Sequence, residues 1–172
     1  MDIVLEEYGE SFYNPMLTPM VEKLIAEGIA TESEGAIVIE LPKINGKKNK
    51  VPLMIRKTDG GYMYGTTDMA ALNYRANEVK ADRVIYVTDA GQELHFKQVF
   101  EAGKTAKFYD PEKTQLNHVM FGVVQSKDEN GKITKFKTRS GDTVKLVDVL
   151  NESKERAMKV FEERMAEEGS KV

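Results

Sequence analysis

The stretch that most constrains the fold is Arg83–Thr88, RVIYVT. It is nearly continuous in apolar and β-branched residues. Such a strand asks for cover on both faces, the situation of a parallel strand in an α/β sheet. Asp89 follows as an N-cap and Gln92 stands three residues on, the D-x-x-Q spacing of a capping box. Leu94, Phe96, Val99 and Phe100 then recur at helical spacing. Val119–Gln125, VMFGVVQ, reads as the next strand. Upstream lies Gly60–Arg75, GGYMYGTTDMAALNYR. Here Tyr62–Tyr64 reads as a strand and Gly65–Thr67 as a break. A helix is expected from about Asp68, with Thr67 as N-cap and Met69, Ala70, Leu72 and Ala76 on its buried side. The order β-α-β-α-β predicts an α/β fold, half of a doubly wound parallel sheet.

In that arrangement Tyr64 and Asp68 meet where a strand ends and a helix begins, the edge at which open α/β sheets bind ligands. A carboxylate and a phenol oxygen both accept hydrogen bonds. A guanidinium, planar and rich in donors, is the cation that fits them best. A plainer account makes Asp68 a first-turn acid that suits the helix dipole and Tyr64 a half-buried strand residue. The residues alone leave both open.

The remaining chain supplies fewer constraints. Residues 1–14 form no clear element. Thr18-Pro19 reads as a cap and first helical residue, with Met20, Val21, Leu24 and Ile25 on one face and Gly28 as the stop. Ala36–Leu41 and Val51–Arg56 read as an antiparallel hairpin turning on Asn45-Gly46. Lys43, Lys47, Lys48 and Lys50 cluster at its tip, either as a solvated tip or as a contact to RNA phosphate. Gly103-Lys104-Thr105 is no phosphate loop, because no glycine-rich turn follows a strand there. From Lys127 to Lys145 there are six basic residues against three acids. A loop of Lys, Thr, Arg, Ser and Gly suits phosphate oxygens, and it equally suits water. Asn151–Glu168 reads as a charged helix with a narrow stripe of Ala157, Val160, Phe161 and Met165. The expected divisions are 1–60, a helix plus hairpin; 61–150, the nucleotide-binding half-fold; and 151–172, the terminal helix.

Composition excludes some classes. The net charge of −3 over 172 residues gives no general attraction to nucleic acid, and the absence of cysteine removes disulfide and thiolate-metal chemistry. No run approaches the ~20 apolar residues of a membrane span, and MDIVLEEYGE has no signal-peptide character. A cytoplasmic protein without membrane contact is the expectation.

Taken together, YGTTDMAALNYR, ADRVIYVTDAGQELHFKQVF, the earlier YGESFYNP and the later KFKTRSGDTVKL resemble the catalytic core of arginyl-tRNA synthetases, a class I family. The resemblance runs from about Tyr8 to about Leu150. It implies that Tyr64 and Asp68, its Y-x-x-x-D element, recognise a substrate guanidinium, and that Gln92 reaches the amino-acid end. Gln92 is also readable as the capping partner of Asp89. His95 is implied on the ATP ribose side, or is a half-buried histidine at the sheet edge; His118 is read as structural. Phe121, Gly122 and Val123 resemble the strand segment whose backbone meets adenine. The hairpin falls in the family's insertion within the nucleotide-binding fold.

Phe136–Ser140, FKTRS, resembles the mobile loop usually written KMSKS, with Arg139 in place of its second lysine. Lys137, Arg139 and Ser140 are thereby implied in catalysis and Lys137 and Thr138 in ATP binding. The implied substrates are arginine, ATP with magnesium, and tRNA(Arg). The family's H-I-G-H-type signature has no counterpart, since neither His95 nor His118 is followed by x-G-H. The expectation is an internal piece of such a ligase, inactive alone, that associates with the other half of the fold. No carboxylate is assignable to a metal. The alternative is a stand-alone module that binds arginine or docks on a partner without catalysis.

Overall fold

The computed structural model describes residues 6–41, 43–44, 46–48, 51–122, 125–127, 133–135 and 145–169. They fall into two compact units, Met1–Gly122 and Val123–Val172.

In the first unit a 3-10 turn, Glu10–Tyr13, runs into helix α1, Asn14–Ala26. The helix starts four residues before the expected Thr18-Pro19. Pro15 occupies its first turn, where a missing N–H costs nothing, and Pro19 is carried inside. Leu17, Met20, Val21 and Leu24 are buried. The end is a Schellman motif: Gly28 at φ +68° bonds Ile25 O at 3.0 Å, and Ile29 N bonds Leu24 O at 2.9 Å.

Strand β1, Thr31–Ser33, was not anticipated. It turns through Glu34 and Gly35, both at positive φ, into β2, Ala36–Ile39. Two positive φ values in a two-residue loop match the twist of a hairpin. A small hairpin, β3 (Lys43–Ile44) and β4 (Lys47–Lys48), follows. The chain returns as β5, Leu53–Arg56, antiparallel to β2, giving sheet order β1-β2-β5.

Helix α2, Tyr64–Asn77, corrects the sequence reading: it begins at Tyr64, and the expected strand at Tyr62–Tyr64 is reduced to one bridge, Tyr62 to Arg56. Met63, not Thr67, is the cap position. The cause lies in Gly65 and Thr66. A Cβ on Gly65 would meet Leu53 Cδ1 at 2.9 Å, so glycine lets the helix press on β5. The fully buried Thr66 hydroxyl donates to Ile55 O and accepts from Met63 N at 3.3 Å. That bond satisfies an N-terminal amide the helix itself leaves open.

Strand β6 spans Arg83–Asp89. A 3-10 turn, Ala90–Gln92, leads into helix α3, Glu93–Thr105, and β7, Gln115–Phe121, pairs parallel with β6. The mixed α/β class with a parallel pair and antiparallel hairpins is as expected. The second strand starts earlier than Val119 because Gln115 N bonds Asp82 O at 2.8 Å and Thr114 Oγ1 bonds Ala81 O at 3.0 Å. Val84 and Tyr86 turn inward onto Phe96 and Phe100. On the opposite face Ile85, Val87, Val119 and Phe121 are at least half exposed, so the expected burial of both faces is not met. The main core gathers Leu24, Ile39, Ile55, Met69, Leu72 and Val99.

The second unit contains an antiparallel pair, β8 (Gln125–Lys127) and β9 (Ile133–Lys135), and helix α4, Leu146–Gly169. Val160, Phe161 and Met165 are exposed on α4. No helix among the described residues is long and apolar enough to cross a membrane.

Candidate active site

Because α2 begins at Tyr64, Tyr64 and Asp68 are one helical turn apart rather than on a strand and a helix. Residues at i and i+4 share a helix face, so the two acceptors still point to one side. That side borders a cavity of about 490 Å³. Tyr64, Thr67 and Asp68 form its α2 wall. Thr88, from the C-terminal end of β6, and Gln92, His95 and Phe96, from the start of α3, form the opposite wall, and Glu10 closes the rim from the first 3-10 turn. The strand ends, the helix starts and the cavity thus share the sheet edge expected for a ligand.

Across the cavity wall His95 Nε2 lies 2.6 Å from Asp68 Oδ2. Each side chain keeps a little under a third of its surface exposed. An ionised carboxylate only accepts, so the ring nitrogen is the donor. Among the described residues Asp68 Oδ1 has no hydrogen-bond partner, and neither does the Tyr64 hydroxyl, whose residue is 72% exposed.

Gln92 is held at the mouth of α3. Its Nε2 donates to Asp89 Oδ2 at 2.6 Å, and Gly91 N donates to Asp89 Oδ1 at 2.8 Å. The capping role is therefore real, although the amide donates to the side chain instead of accepting from the backbone as a capping box would. Gln92 also lines the cavity. His118 bonds Thr88 Oγ1 at 2.7 Å and packs against Phe96 at 4.8 Å, which anchors the floor of the site.

Beneath the site the Tyr86 hydroxyl is buried with no hydrogen-bond partner among the described residues, and Arg75 lies over its ring at 5.4 Å. Burial pushes the Tyr86 phenol up to about 12, the nearby Arg75 charge opposing the shift. On the solvent side of α3, Lys97 holds the Glu93 carboxyl below its usual range through a 2.5 Å bond.

Phe121 and Gly122 lie at the end of β7, exposed, with Phe121 in register with Asp89 of β6. They therefore share the cavity's sheet edge without lining the cavity. Val123 and the loop residues Lys137, Thr138, Arg139 and Ser140 lie outside the described residues. Among the described residues no three His, Asp or Glu side chains gather as a metal site.

Four lining residues escaped the sequence reading as such. Glu10 is 54 positions before Tyr64, and only the YGESFYNP likeness touched it. Thr67 has the residue type of a helix cap. Thr88 and Phe96 were read as strand and core. All four are brought in by tertiary packing, which local periodicity does not register.

Comparisons with known proteins show the family. A family model described as the catalytic domain of class I tRNA synthetases of the R type matches residues 1–171. The arginine–tRNA ligase of Crocosphaera subtropica is 48% identical over 172 residues, covering 99% of this chain and 28% of that protein. That of Synechocystis sp. is 49% identical over 175 residues, covering 100% and 29%. The crystal structure of arginyl-tRNA synthetase from Plasmodium falciparum matches with a TM-score of 0.64 and 36% identity, over 99% of this chain and 26% of that one. A Campylobacter jejuni structure, at 19% identity and a TM-score of 0.56, shares the fold. The chain spans about 28% of the length of the curated relatives it matches.

Proposed function

This chain belongs to the arginyl family of class I tRNA synthetase catalytic domains, and from that membership we propose that its cavity is the arginine pocket of an ATP-dependent arginine–tRNA ligase. The observation that carries the proposal is the pair of acceptors, Tyr64 and Asp68, on one face of α2 beside a cavity that Gln92 also lines. Asp68 takes the guanidinium in charge-assisted hydrogen bonds, Tyr64 adds a phenol oxygen, and Gln92 orients the amino-acid end.

In the first reaction a carboxylate oxygen of arginine attacks the α-phosphorus of ATP. A new P–O bond forms as the bond to pyrophosphate breaks, giving arginyl-adenylate. In the second, a hydroxyl of the tRNA(Arg) terminal ribose attacks the acyl carbon and AMP leaves. Such chemistry depends on positioning and on stabilising charge as it develops. The proposed division of labour gives Lys137, Arg139 and Ser140 to the leaving pyrophosphate and Lys137 and Thr138 to bound ATP. His95 and the backbone of Phe121, Gly122 and Val123 face the nucleoside. His95 engages Asp68 through Nε2, so Nδ1 is the ring atom left for a nucleotide. Magnesium travels with the ATP phosphates, in keeping with sites that draw few protein carboxylates. Cytoplasmic location follows from the same reading.

A second reading, an arginine-binding module without catalysis, is favoured by one observation: Tyr64, Asp68 and Gln92, the residues proposed to hold arginine, all lie in the first unit. Equilibrium dialysis of labelled arginine, competed by lysine and citrulline, tests what both readings share. Arginine is expected to outcompete citrulline, whose ureido group is neutral, by about tenfold or more. Equal competition by citrulline contradicts the pocket assignment.

A further inference from the structure

A free carboxylate can offer both oxygens to a guanidinium fork. Asp68 does not, because His95 Nε2 already holds Oδ2 at 2.6 Å. The bond crosses from α2 to α3, between residues 27 apart in sequence. It is steadied at the histidine end by Phe96, whose ring stands nearly perpendicular to the imidazole at 5.1 Å. The helix fixes where Asp68 begins, and among the described residues only His95 fixes how its carboxylate is turned. Resting on the arginine reading above, we infer that His95 is a positioning residue: it locks Asp68 so that Oδ1 is the oxygen presented to the guanidinium.

The neighbours leave this bond to the two residues. Glu10, on the first 3-10 turn, is the other acid among the described lining residues. Glu93, on the same helix as His95, is taken up by Lys97, and His118 of β7 is engaged with Thr88 behind Phe96.

The test has two arms. Long-range proton–nitrogen correlation spectra of the protein without arginine report which imidazole nitrogen carries hydrogen. Nε2 is expected at neutral pH, with the preference lost in Asp68→Ala. Arginine affinity is then measured by calorimetry at neutral pH. His95→Gln, which keeps an N–H donor, should bind within about threefold of the parent. His95→Ala should bind about tenfold more weakly. An Nδ1–H tautomer, or parent-like binding by His95→Ala, overturns the inference while the arginine reading stands. An intact Nε2–H pairing with no arginine binding overturns the arginine reading, and the positioning role with it.

Discussion

The imidazole of His95 donates to the carboxylate of Asp68 across the contact between α2 and α3, at 2.6 Å. The two helices can hold this register because Gly103 on α3 lies against Leu72 on α2, so close that a Cβ at Gly103 would stand 2.5 Å from Leu72 Cδ2. The bond occupies one carboxylate oxygen and leaves Asp68 on the cavity wall. Packing between the helices and the lining of the cavity thus meet at one acid.

The start of α2 hangs on the Thr66 hydroxyl, which serves both Ile55 O and Met63 N. Thr66→Val keeps the shape and strands the buried Ile55 carbonyl and the part-buried Met63 amide. A loss of roughly 2–4 kcal/mol in unfolding free energy is expected, read from urea denaturation. Arginine affinity should fall as well, since Tyr64 and Asp68 take their positions from this turn. A parent-like midpoint would mean the turn is held by something else.

Tyr86 predicts alkaline behaviour. Its phenol is raised from 10.0 to about 12 in the fold, chiefly by burial. The stability this contributes is complete below the unfolded value and is lost as pH rises through the folded one. Between about pH 10 and 12 the parent should therefore lose ~2 kcal/mol that Tyr86→Phe retains. Denaturation midpoints of both proteins across that window check it; parallel losses would remove Tyr86 as the cause.

Much of the fold was legible because it is written in short-range chemistry. Gly28 stops α1 where expected, the two strands flanking Asn45-Gly46 pair antiparallel, and RVIYVT is a strand followed by a helix. The aromatic run Tyr62–Tyr64 misled, because strand propensity there is outweighed by a tertiary contact. Gly65 and Thr66 fit only against β5, which lies more than eight residues upstream. The site was legible as residue types and not as geometry. Tyr64, Asp68 and Gln92 do share a cavity, yet nothing local announces that Asp68 would meet His95 or that Glu10 would close the rim. The exposed face of Ile85 and Val87 shows the reverse limit: apolar pattern states what a strand needs, not what this chain supplies.

Catalysis by the 172 residues alone is a separate matter from binding. Their two histidines are His95, engaged with Asp68, and His118, engaged with Thr88. Neither lies in an H-x-G-H arrangement that could serve ATP phosphates. Arginine-dependent ATP–pyrophosphate exchange is expected to stay at background even where arginine binds. Robust exchange would show that the phosphates are served by other groups in this chain.

The most direct test of the account is a calorimetric titration of arginine into the protein and into Asp68→Asn, which preserves shape and removes charge. The account predicts saturable binding by the parent and a loss of about 10- to 150-fold in the variant, the range of a charge-assisted hydrogen bond. Equal affinity of the two proteins, or no arginine binding by the parent, would contradict it.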